Sequence, residues 1–239
     1  MSRFERSFAS LQNLDYRKLW WAGTFSFMSV QMQFLLRGVL AWDLTEREGA
    51  LGLVYLCFGV ALLIATPLGG VAADRLPKRR ILIVSQGAIL TAAAGMGIVV
   101  ITDVVQFWML LIAAITQGIA FGFLGPTRVA FTSEIVGRDQ LGNAITLSML
   151  SMNGTRVVAP AFAGALAGVV FIGIGGAYVV SAAFSMLSFV LYLRCPPGSA
   201  PRVTSTASPF AEIIDGVRYV AARPHLRRLV LSSFVIIMF

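Results

Sequence analysis

Two long apolar runs meet at residues 69–80, which read Gly69-Gly70-Val71-Ala72-Ala73-Asp74-Arg75-Leu76-Pro77-Lys78-Arg79-Arg80. The last seven of these residues hold one acid and four bases, so charge is concentrated between two runs that carry none. Pro77 pre-sets the backbone for a tight turn, and Gly70 permits a close approach of two helices. The stretch therefore predicts a short hairpin on the aqueous side of a membrane.

The composition of the whole chain agrees with a membrane protein that crosses the bilayer several times. Of its 239 residues, 57% are hydrophobic and only 13% are charged, whereas about a quarter of the residues of soluble domains are charged. A net charge of +8 is also found in proteins that bind nucleic acid. Here, however, the bases cluster between apolar runs, as they do in membrane proteins. We therefore expect no nucleic-acid partner.

Six apolar segments are long enough to cross about 30 Å of hydrocarbon. They cover residues 19–42, 49–73, 81–102, 104 to 126–130, 141–166 and 177–193. The first is the least apolar, since it contains Gln31, Gln33 and Arg37. The uncharged run 157–193 is too long for one span, so its glycines predict a turn at residues 173–176.

The distribution of basic residues predicts the orientation of these spans. Sixteen of the nineteen Lys and Arg residues fall in segments on one side of the six predicted spans. Basic residues are enriched in cytoplasmic segments, so this side, which includes the N-terminus, is predicted to be cytoplasmic.

The same reading divides the chain into four parts. Residues 1–18 form a cytoplasmic N-terminal segment and residues 19–194 a six-helix transmembrane bundle. Residues 195–228 form a cytoplasmic linker with an amphipathic helix, and residues 229–239 begin a seventh span. Eleven residues cover about 16 Å, half a bilayer. We therefore expect the sequence to be a truncated part of a longer chain.

The pattern Gly70-x-x-x-Asp74-Arg75-x-x-Lys78-Arg79 resembles the loop between helices 2 and 3 of the major facilitator superfamily of secondary transporters, with Pro77 where that family usually has a glycine. Three further stretches resemble the branch that contains enterobactin exporters and macrolide efflux proteins. They are Pro126-Thr127-Arg128 with Asn143-Ala144, Arg156-x-x-Ala159-Pro160-x-x-Ala163-Gly164, and Asp215-Gly216-Val217-Arg218-Tyr219-Val220.

This resemblance implies an all-α fold of six transmembrane helices, arranged as two inverted three-helix repeats that form half of a major facilitator transporter. It implies efflux of an amphipathic or siderophore-like small molecule by alternating access in a bacterial-type inner membrane. The implied partners are that substrate, a coupling ion, the lipid bilayer and a C-terminal half supplied by the same chain or by a second copy. No acid lies securely inside a predicted span, so we expect any coupling acid in the other half.

The resemblance also assigns a gating loop of Gly70, Asp74, Arg75, Lys78, Arg79 and Glu134. Asp74 would face the N-terminus of a helix in the C-terminal half, while Arg75 and Arg79 would pair with acids of the span 4–5 loop, Glu134 in particular. Breaking such pairs would open the cytoplasmic side. The alternative is that these bases only follow the cytoplasmic charge bias.

Four polar residues within spans are predicted to line a transport pathway. Arg156 lies in mid-span, where a charge costs at least about 2.5–3.5 kcal/mol unless it faces a cavity or a partner. Asn153 lies three residues earlier on the same face. An arginine that only holds spans together through backbone carbonyls is the alternative. Gln33 and Arg37 form a similar pair nearer the outer surface, where Arg37 either faces the pathway or snorkels to the interface.

Small residues at Gly118 and Gly164, with Pro160, predict close helix packing. One departure from the family is Ala114, which stands where span 4 often has an arginine, so no proton-coupling role is assigned there. The only histidine, His225, lacks neighbouring thiolates or acids, and no phosphate-binding glycine loop is present. We expect no enzymatic activity, no cofactor and no metal.

A second hypothesis keeps the half-fold but not transport: a homodimeric membrane scaffold or regulator. A protein built as half a transporter should end before residue 229, not within a span. The sequence therefore favours a transporter.

Overall fold

The computed structural model describes residues 9–169 and 171–198 of the chain. The predicted seventh span lies outside these residues, and so does nearly all of the predicted linker. The described residues form helices and contain no strand. A single 3₁₀ turn, Ala9–Gln12, precedes five α-helices, which are α1 (Leu14–Thr45), α2 (Glu48–Arg75), α3 (Lys78–Ile101), α4 (Phe107–Ala167) and α5 (Gly173–Leu193).

Helix α4 is two helices joined at one residue. Gly137 has φ 70° and ψ 179°, a backbone conformation that glycine adopts without steric cost. We name the arm before it α4a (residues 107–136) and the arm after it α4b (residues 138–167). The prediction of a loop between the fourth and fifth spans is therefore wrong. The chain is helical on both sides of Gly137, and only this residue departs from helical φ and ψ.

Helix α1 packs against α4b through hydrogen bonds that advance together along both helices. The partners are Tyr16 Oη to the Ala144 carbonyl at 2.8 Å, Trp20 Nε1 to the Leu147 carbonyl at 3.0 Å, and Thr24 Oγ1 to Ser151 Oγ at 2.6 Å. Because both residue numbers rise from one bond to the next, α1 and α4b run parallel.

Contacts between α1 and α4a run in the opposite sense. The rings of Phe27 and Phe121 lie 5.7 Å apart, and farther along α1 the Arg37 guanidinium reaches Gln117, earlier on α4a. Helix α4a is therefore antiparallel to α1 and to α4b. The turn at Gly137 thus reverses the chain.

A row of buried polar side chains joins α1, α3 and α5. Its hydrogen bonds are Ser26 to Gln86 at 2.7 Å, Gln86 to Ser185 at 2.7 Å, Ser29 with Ser181 at 3.2 Å, and Ser188 to the Ala22 carbonyl at 2.7 Å. Residue numbers on α5 fall as those on α1 rise. Within lipid, such satisfied polar contacts hold helices together where the hydrophobic effect does not.

Helices α2 and α4a cross at nearly backbone-to-backbone distance. A Cβ at Gly118 would lie 2.5 Å from the Phe58 carbonyl oxygen, and one at Gly69 would lie 2.4 Å from the Gly122 carbonyl oxygen. At both positions glycine is required because any side chain would force the helices apart.

Four of the helices, α2 to α5, are long and apolar enough to cross a membrane. Helix α1 is longer than α3 and α5 but more polar, as its glutamines and arginine predicted. The predicted turn at residues 173–176 is displaced. Helix α5 already begins at Gly173, whose φ is 58°, and the non-helical residues precede it.

Candidate transport site

The loop between α2 and α3 consists of two residues, Leu76 and Pro77. Asp74 is exposed in the last turn of α2, and its carboxylate makes no hydrogen bond or ion pair within the described residues. The close helix approach predicted for Gly70 is made by its neighbour. Gly69 is buried against α4a, whereas a Cβ at Gly70 would meet nothing within 4 Å.

Glu134 forms an ion pair with Lys78, a base other than the two, Arg75 and Arg79, that were predicted to pair with it. Lys78 Nζ lies 2.5 Å from Glu134 Oε1. Arg79 instead donates from Nη2 to the carbonyl oxygen of Leu193 at the end of α5. The loop thus holds α3 to α4a through Lys78 and to α5 through Arg79, and Arg75 is half-buried beside them.

Gln33 and Arg37 lie together in the interior of the bundle. Arg37 is 2% exposed, which rules out the snorkelling interpretation. Its Nε donates to the Gln33 carbonyl at 3.1 Å and its Nη2 to Gln117 Oε1 on α4a. Arg37 Nη1, Gln117 Nε2 and the Tyr178 hydroxyl are all buried without a hydrogen-bond partner in the described part of the chain. This polar cluster joins α1, α4a and α5.

Asn153 and Arg156 do not reach that cluster. Both side chains are exposed on α4b, beside Val157, which is 74% exposed. The four predicted pathway residues therefore form two separate pairs, one inside the bundle and one on an open face of α4b. Neither Asn153 nor Arg156 has a side-chain hydrogen bond within residues 9–169 and 171–198.

A cavity of about 310 Å³ lies between α1, α4a and α4b. Its walls are largely apolar, with hydroxyl groups from Thr132 and Ser148 and one charged group, the guanidinium of Arg128. The lining residues are Phe27, Phe121, Leu124, Gly125, Arg128, Val129, Thr132, Ile145, Ser148, Met149 and Met152. This combination of apolar wall and few polar groups is typical of small-molecule sites.

Arg128 falls at the inner end of the predicted fourth span, where an arginine is expected to meet the inner surface, but its side chain extends between helices. Its Cζ lies 4.4 Å from the centre of the Phe27 ring, and a Cβ at Gly23 would collide with its Nη1. The Tyr192 hydroxyl is close by, yet neither it nor Arg128 Nη1 forms a hydrogen bond of standard geometry within the described residues. Arg128 is thus a cation held against an aromatic face beside the cavity.

The residues predicted for helix packing lie at helix contacts. Gly118 faces α2, and a Cβ on Gly164 would lie 3.6 Å from Leu35 of α1. Pro160 is half-buried in α4b between Ala159 and Ala163, both fully buried. Among the described residues, no group of three or more His, Cys, Asp or Glu side chains could hold a metal ion.

Comparison with known proteins identifies the family of the chain. The family model described as transmembrane secretion effector matches residues 5–239, nearly the whole chain. The chain belongs to this branch of the major facilitator superfamily. It is a family of membrane transport proteins and not a class of enzymes.

Curated relatives of this family member are enterobactin exporters. The protein of Shigella flexneri is 24% identical over 198 residues, which are 82% of this chain and 47% of the relative. That of Salmonella typhi is 24% identical over 199 residues, 82% of this chain and 46% of the relative. The chain thus spans about half the length of the curated relatives it matches.

Sequence reasoning missed three residues of the site region in this transporter-family chain: Gln117, Gly122 and Arg128. A signal existed for Gly122, because Gly118 and Gly122 are four residues apart and face a matching row of Ala61, Ala65 and Gly69. For Gln117 no local signal existed, and Arg128 stood out only as part of the stretch Pro126-Thr127-Arg128 that carries the family resemblance. The burial of both depends on helix α1, about a hundred residues earlier in the chain.

Proposed function

We propose that this chain forms one six-helix half of an exporter that moves an amphipathic or siderophore-like small molecule out of the cell by alternating access. The observation that carries the proposal is the cavity of about 310 Å³, which combines phenylalanine and methionine side chains with the Arg128 guanidinium. Aromatic faces and adaptable thioethers accommodate an apolar body, while the guanidinium and hydroxyl groups can bind polar atoms. The enterobactin exporters among the relatives support export as the direction.

The helix directions support six crossings. Helix α1 is parallel to α4b and antiparallel to α4a and α5. The contacts of Gly118 with Ala61 and of Gly122 with Ala65 make α2 parallel to α4a, and those of Gly87 with Phe189 and of Gly97 with Tyr178 make α3 antiparallel to α5. Each helix or helical arm therefore runs opposite to the one before it. The α2–α3 loop, the Gly137 turn and the end of α5 then share one side with the start of α1. Basic residues are concentrated in these segments, so we assign this side to the cytoplasm and the protein to a bacterial inner membrane.

A second six-helix unit, from a longer form of the chain or from another copy, would complete the pathway. Transporters of this superfamily bind substrate near the midplane between two halves. We propose that the second unit packs against the open face of α4b that carries Asn153 and Arg156, and so forms the opposite wall of the pathway. The buried cluster of Gln33 and Arg37 holds together the wall that this chain supplies. An ion gradient would drive the cycle.

We further propose that the loop of Gly70, Asp74, Arg75, Lys78 and Arg79 acts with Glu134 as the cytoplasmic gate. The Lys78–Glu134 pair is one contact whose breakage would accompany opening. The exposed Asp74 carboxylate would be available to a helix of the second unit. Gate and cavity would then be coupled through α4a, which carries both Glu134 and Arg128.

Inverted inner-membrane vesicles from bacterial cells that express the complete reading frame containing this chain would test this function. Enterobactin uptake into such vesicles, dependent on an imposed ion gradient and abolished when the gradient is collapsed, is the expected result. Arg128→Met should reduce the rate about tenfold or more, while Arg47→Gln, a matched change outside the cavity, should not. A folded chain that forms crosslinked dimers but shows no flux and no enterobactin binding would instead identify the non-transporting scaffold.

A further inference from the structure

An apolar groove of about 560 Å³ lies outside the transport cavity, between the end of α2, the start of α3 and the middle of α4a. Its walls include the loop residue Leu76 and, on α3 and α4a, Val84 and Ile119, whose side chains are 71% and 45% exposed. Exposed side chains of this size on a membrane-embedded helix face hydrocarbon. In a bilayer, the groove is therefore either filled by surrounding lipid or left empty.

One charged residue, Arg80, lines this groove. The neighbouring bases are engaged elsewhere, Lys78 with Glu134 and Arg79 with the Leu193 carbonyl. The Arg80 side chain is exposed and makes no hydrogen bond or ion pair with any described residue. Only its backbone N–H is used, at 2.9 Å from the Pro77 carbonyl. The groove thus begins at a cation that the described residues do not neutralise.

The dimensions of the groove suit an acyl chain. On α3 it extends from Arg80 to Ala88, and eight residues of helix correspond to about 12 Å along the membrane normal. That length covers less than half of the roughly 30 Å hydrocarbon core. It therefore leads from the interface, where Arg80 lies, toward the midplane.

We propose that this groove binds one anionic phospholipid, with the headgroup phosphate on Arg80 and one acyl chain between α3 and α4a. Guanidinium groups bind phosphate oxygens by charge-assisted, often bidentate hydrogen bonds. Basic pockets between transmembrane helices on the cytoplasmic side are suited to acidic lipid headgroups. The apolar walls supply the rest of the binding energy through burial of methylene groups.

A transmembrane helix is the other occupant to consider. A helix with its side chains is about 10–12 Å wide. A helix would insert only the side chains of one face, and its apolar surface would leave the Arg80 guanidinium without a partner. An acyl chain that carries an anionic headgroup fills the apolar groove and also neutralises Arg80, so a lipid is the better fit.

Native mass spectrometry of the full chain, released from detergent with added palmitoyl-oleoyl phosphatidylglycerol or phosphatidylcholine, tests the proposal. We expect one phosphatidylglycerol to be retained at lower concentration than phosphatidylcholine. Arg80→Gln should weaken phosphatidylglycerol retention about tenfold and remove the preference over phosphatidylcholine. Arg47→Gln, which removes an exposed arginine at the opposite end of α2, should leave both unchanged.

Filling the groove distinguishes a bound lipid from the general lipid shell. Val84→Trp should lower retention of both lipids while the helical circular dichroism stays the same, and Ala88→Leu serves if the first variant does not fold. Equal retention of the two lipids by the unmodified chain would overturn the proposal, and so would unchanged retention by Arg80→Gln. A dimer in the same spectra that Val84→Trp dissociates, without loss of lipid, would assign the groove to a second copy of the chain instead.

Discussion

Lys78 Nζ lies 2.5 Å from Oε1 of Glu134, and this ion pair ties the first residue of α3 to the end of α4a. The two side chains are only 13% and 23% exposed. The pair is one of several contacts that join the first three helices to the last three next to the Gly137 turn, together with the hydrogen bonds of Asn13 to Ile135 and of Tyr16 to Ala144. A movement that separates the start of α3 from the end of α4a would lengthen the Lys78–Glu134 pair.

The Lys78–Glu134 pair should be measurable in a double-mutant cycle. Because both side chains are largely shielded from water, we expect a coupling energy on the order of 1 kcal/mol, at the upper end for ion pairs near a surface. Thermal melting of Lys78→Gln, Glu134→Gln and the double variant in detergent gives this value. The double variant should melt close to either single variant.

The charge-swapped chain, Lys78→Glu with Glu134→Lys, should recover most of the stability lost by either reversal. The pair of Lys18 and Asp15 is a matched control, since it lies within one helix at 2.8 Å with both side chains more than 40% exposed. Lys18→Gln should change the melting temperature little. Strictly additive effects at Lys78 and Glu134 would show that the two residues do not interact in the membrane protein.

Two adjacent glycines should respond very differently to one added methyl group. Gly69→Ala places a Cβ 2.4 Å from the Gly122 carbonyl oxygen, whereas Gly70→Ala places one in open space. Overpacking of this kind costs about 1–3 kcal/mol. We therefore expect Gly69→Ala to lower the melting temperature and folded yield and Gly70→Ala to leave both unchanged.

Gly70→Ala remains informative for function. If Gly70 is part of the gate, its substitution should slow transport in the vesicle assay while the protein stays folded. Equal loss of folded protein for both variants would contradict the α2–α4a crossing described above.

The helices bounded by charge were the most predictable part of the fold. Uncharged runs at 49–73 and 81–102 became α2 (Glu48–Arg75) and α3 (Lys78–Ile101), each within three residues of its predicted ends. A cluster of charges at the end of an apolar run, such as the one at residues 74–80, marks the membrane boundary. The predicted loop around Gly137 was wrong because the charges there do not interrupt the helix. Polar residues around it resemble a loop, yet a single positive φ suffices to reverse the chain.

Side-chain burial was much less predictable. Gln33 and Arg37 were recognised as unusual from their position in a span, but the direction in which Arg37 points depends on Gln117, eighty residues away. Likewise, Arg128 lies at the end of an apolar run, where a local reading places it in the headgroup region. Its actual position follows from the space left by Gly23. Rotation of a helix about its axis is decided by its partners, which no local pattern contains.

A carboxylate placed beside Arg37 should stabilise the protein. Its guanidinium is buried and hydrogen-bonded to the neutral Gln117, with no acid beside it in the described part of the chain. Gln117→Glu keeps the size of the side chain and supplies a carboxylate. We expect this variant to melt about 2–4 °C higher, the shift for roughly 1 kcal/mol in a domain of this size.

The contact of Arg37 with residue 117 predicts that the stability lost in Arg37→Met depends strongly on whether residue 117 is Gln or Glu. In the Gln117→Glu background, Arg37→Met leaves a buried carboxylate unpaired, which costs about 3–5 kcal/mol. In the unmodified background Arg37→Met should be much milder, because it removes a charge that has no opposite partner. Similar losses in both backgrounds would mean that Arg37 and residue 117 do not face each other.

Cys195, just beyond the end of α5, should react with thiol reagents slowly and with an unusual pH dependence. The side chain is 3% exposed, and its burial raises the pKa of the thiol from 9.0 to about 11. Only the thiolate reacts readily, so each pH unit between 7 and 10 should increase the rate of alkylation about tenfold. A thiol with the ordinary pKa would level off near pH 9.

The Cys57→Ser variant leaves Cys195 as the single thiol, and mass spectrometry after timed exposure to iodoacetamide gives the rate of alkylation. The same variant unfolded in dodecyl sulfate is the control and should react faster at every pH. A native rate that levels off at pH 9 would show that Cys195 is accessible to water, and that the end of α5 is not packed against α1 and the α2–α3 loop as described.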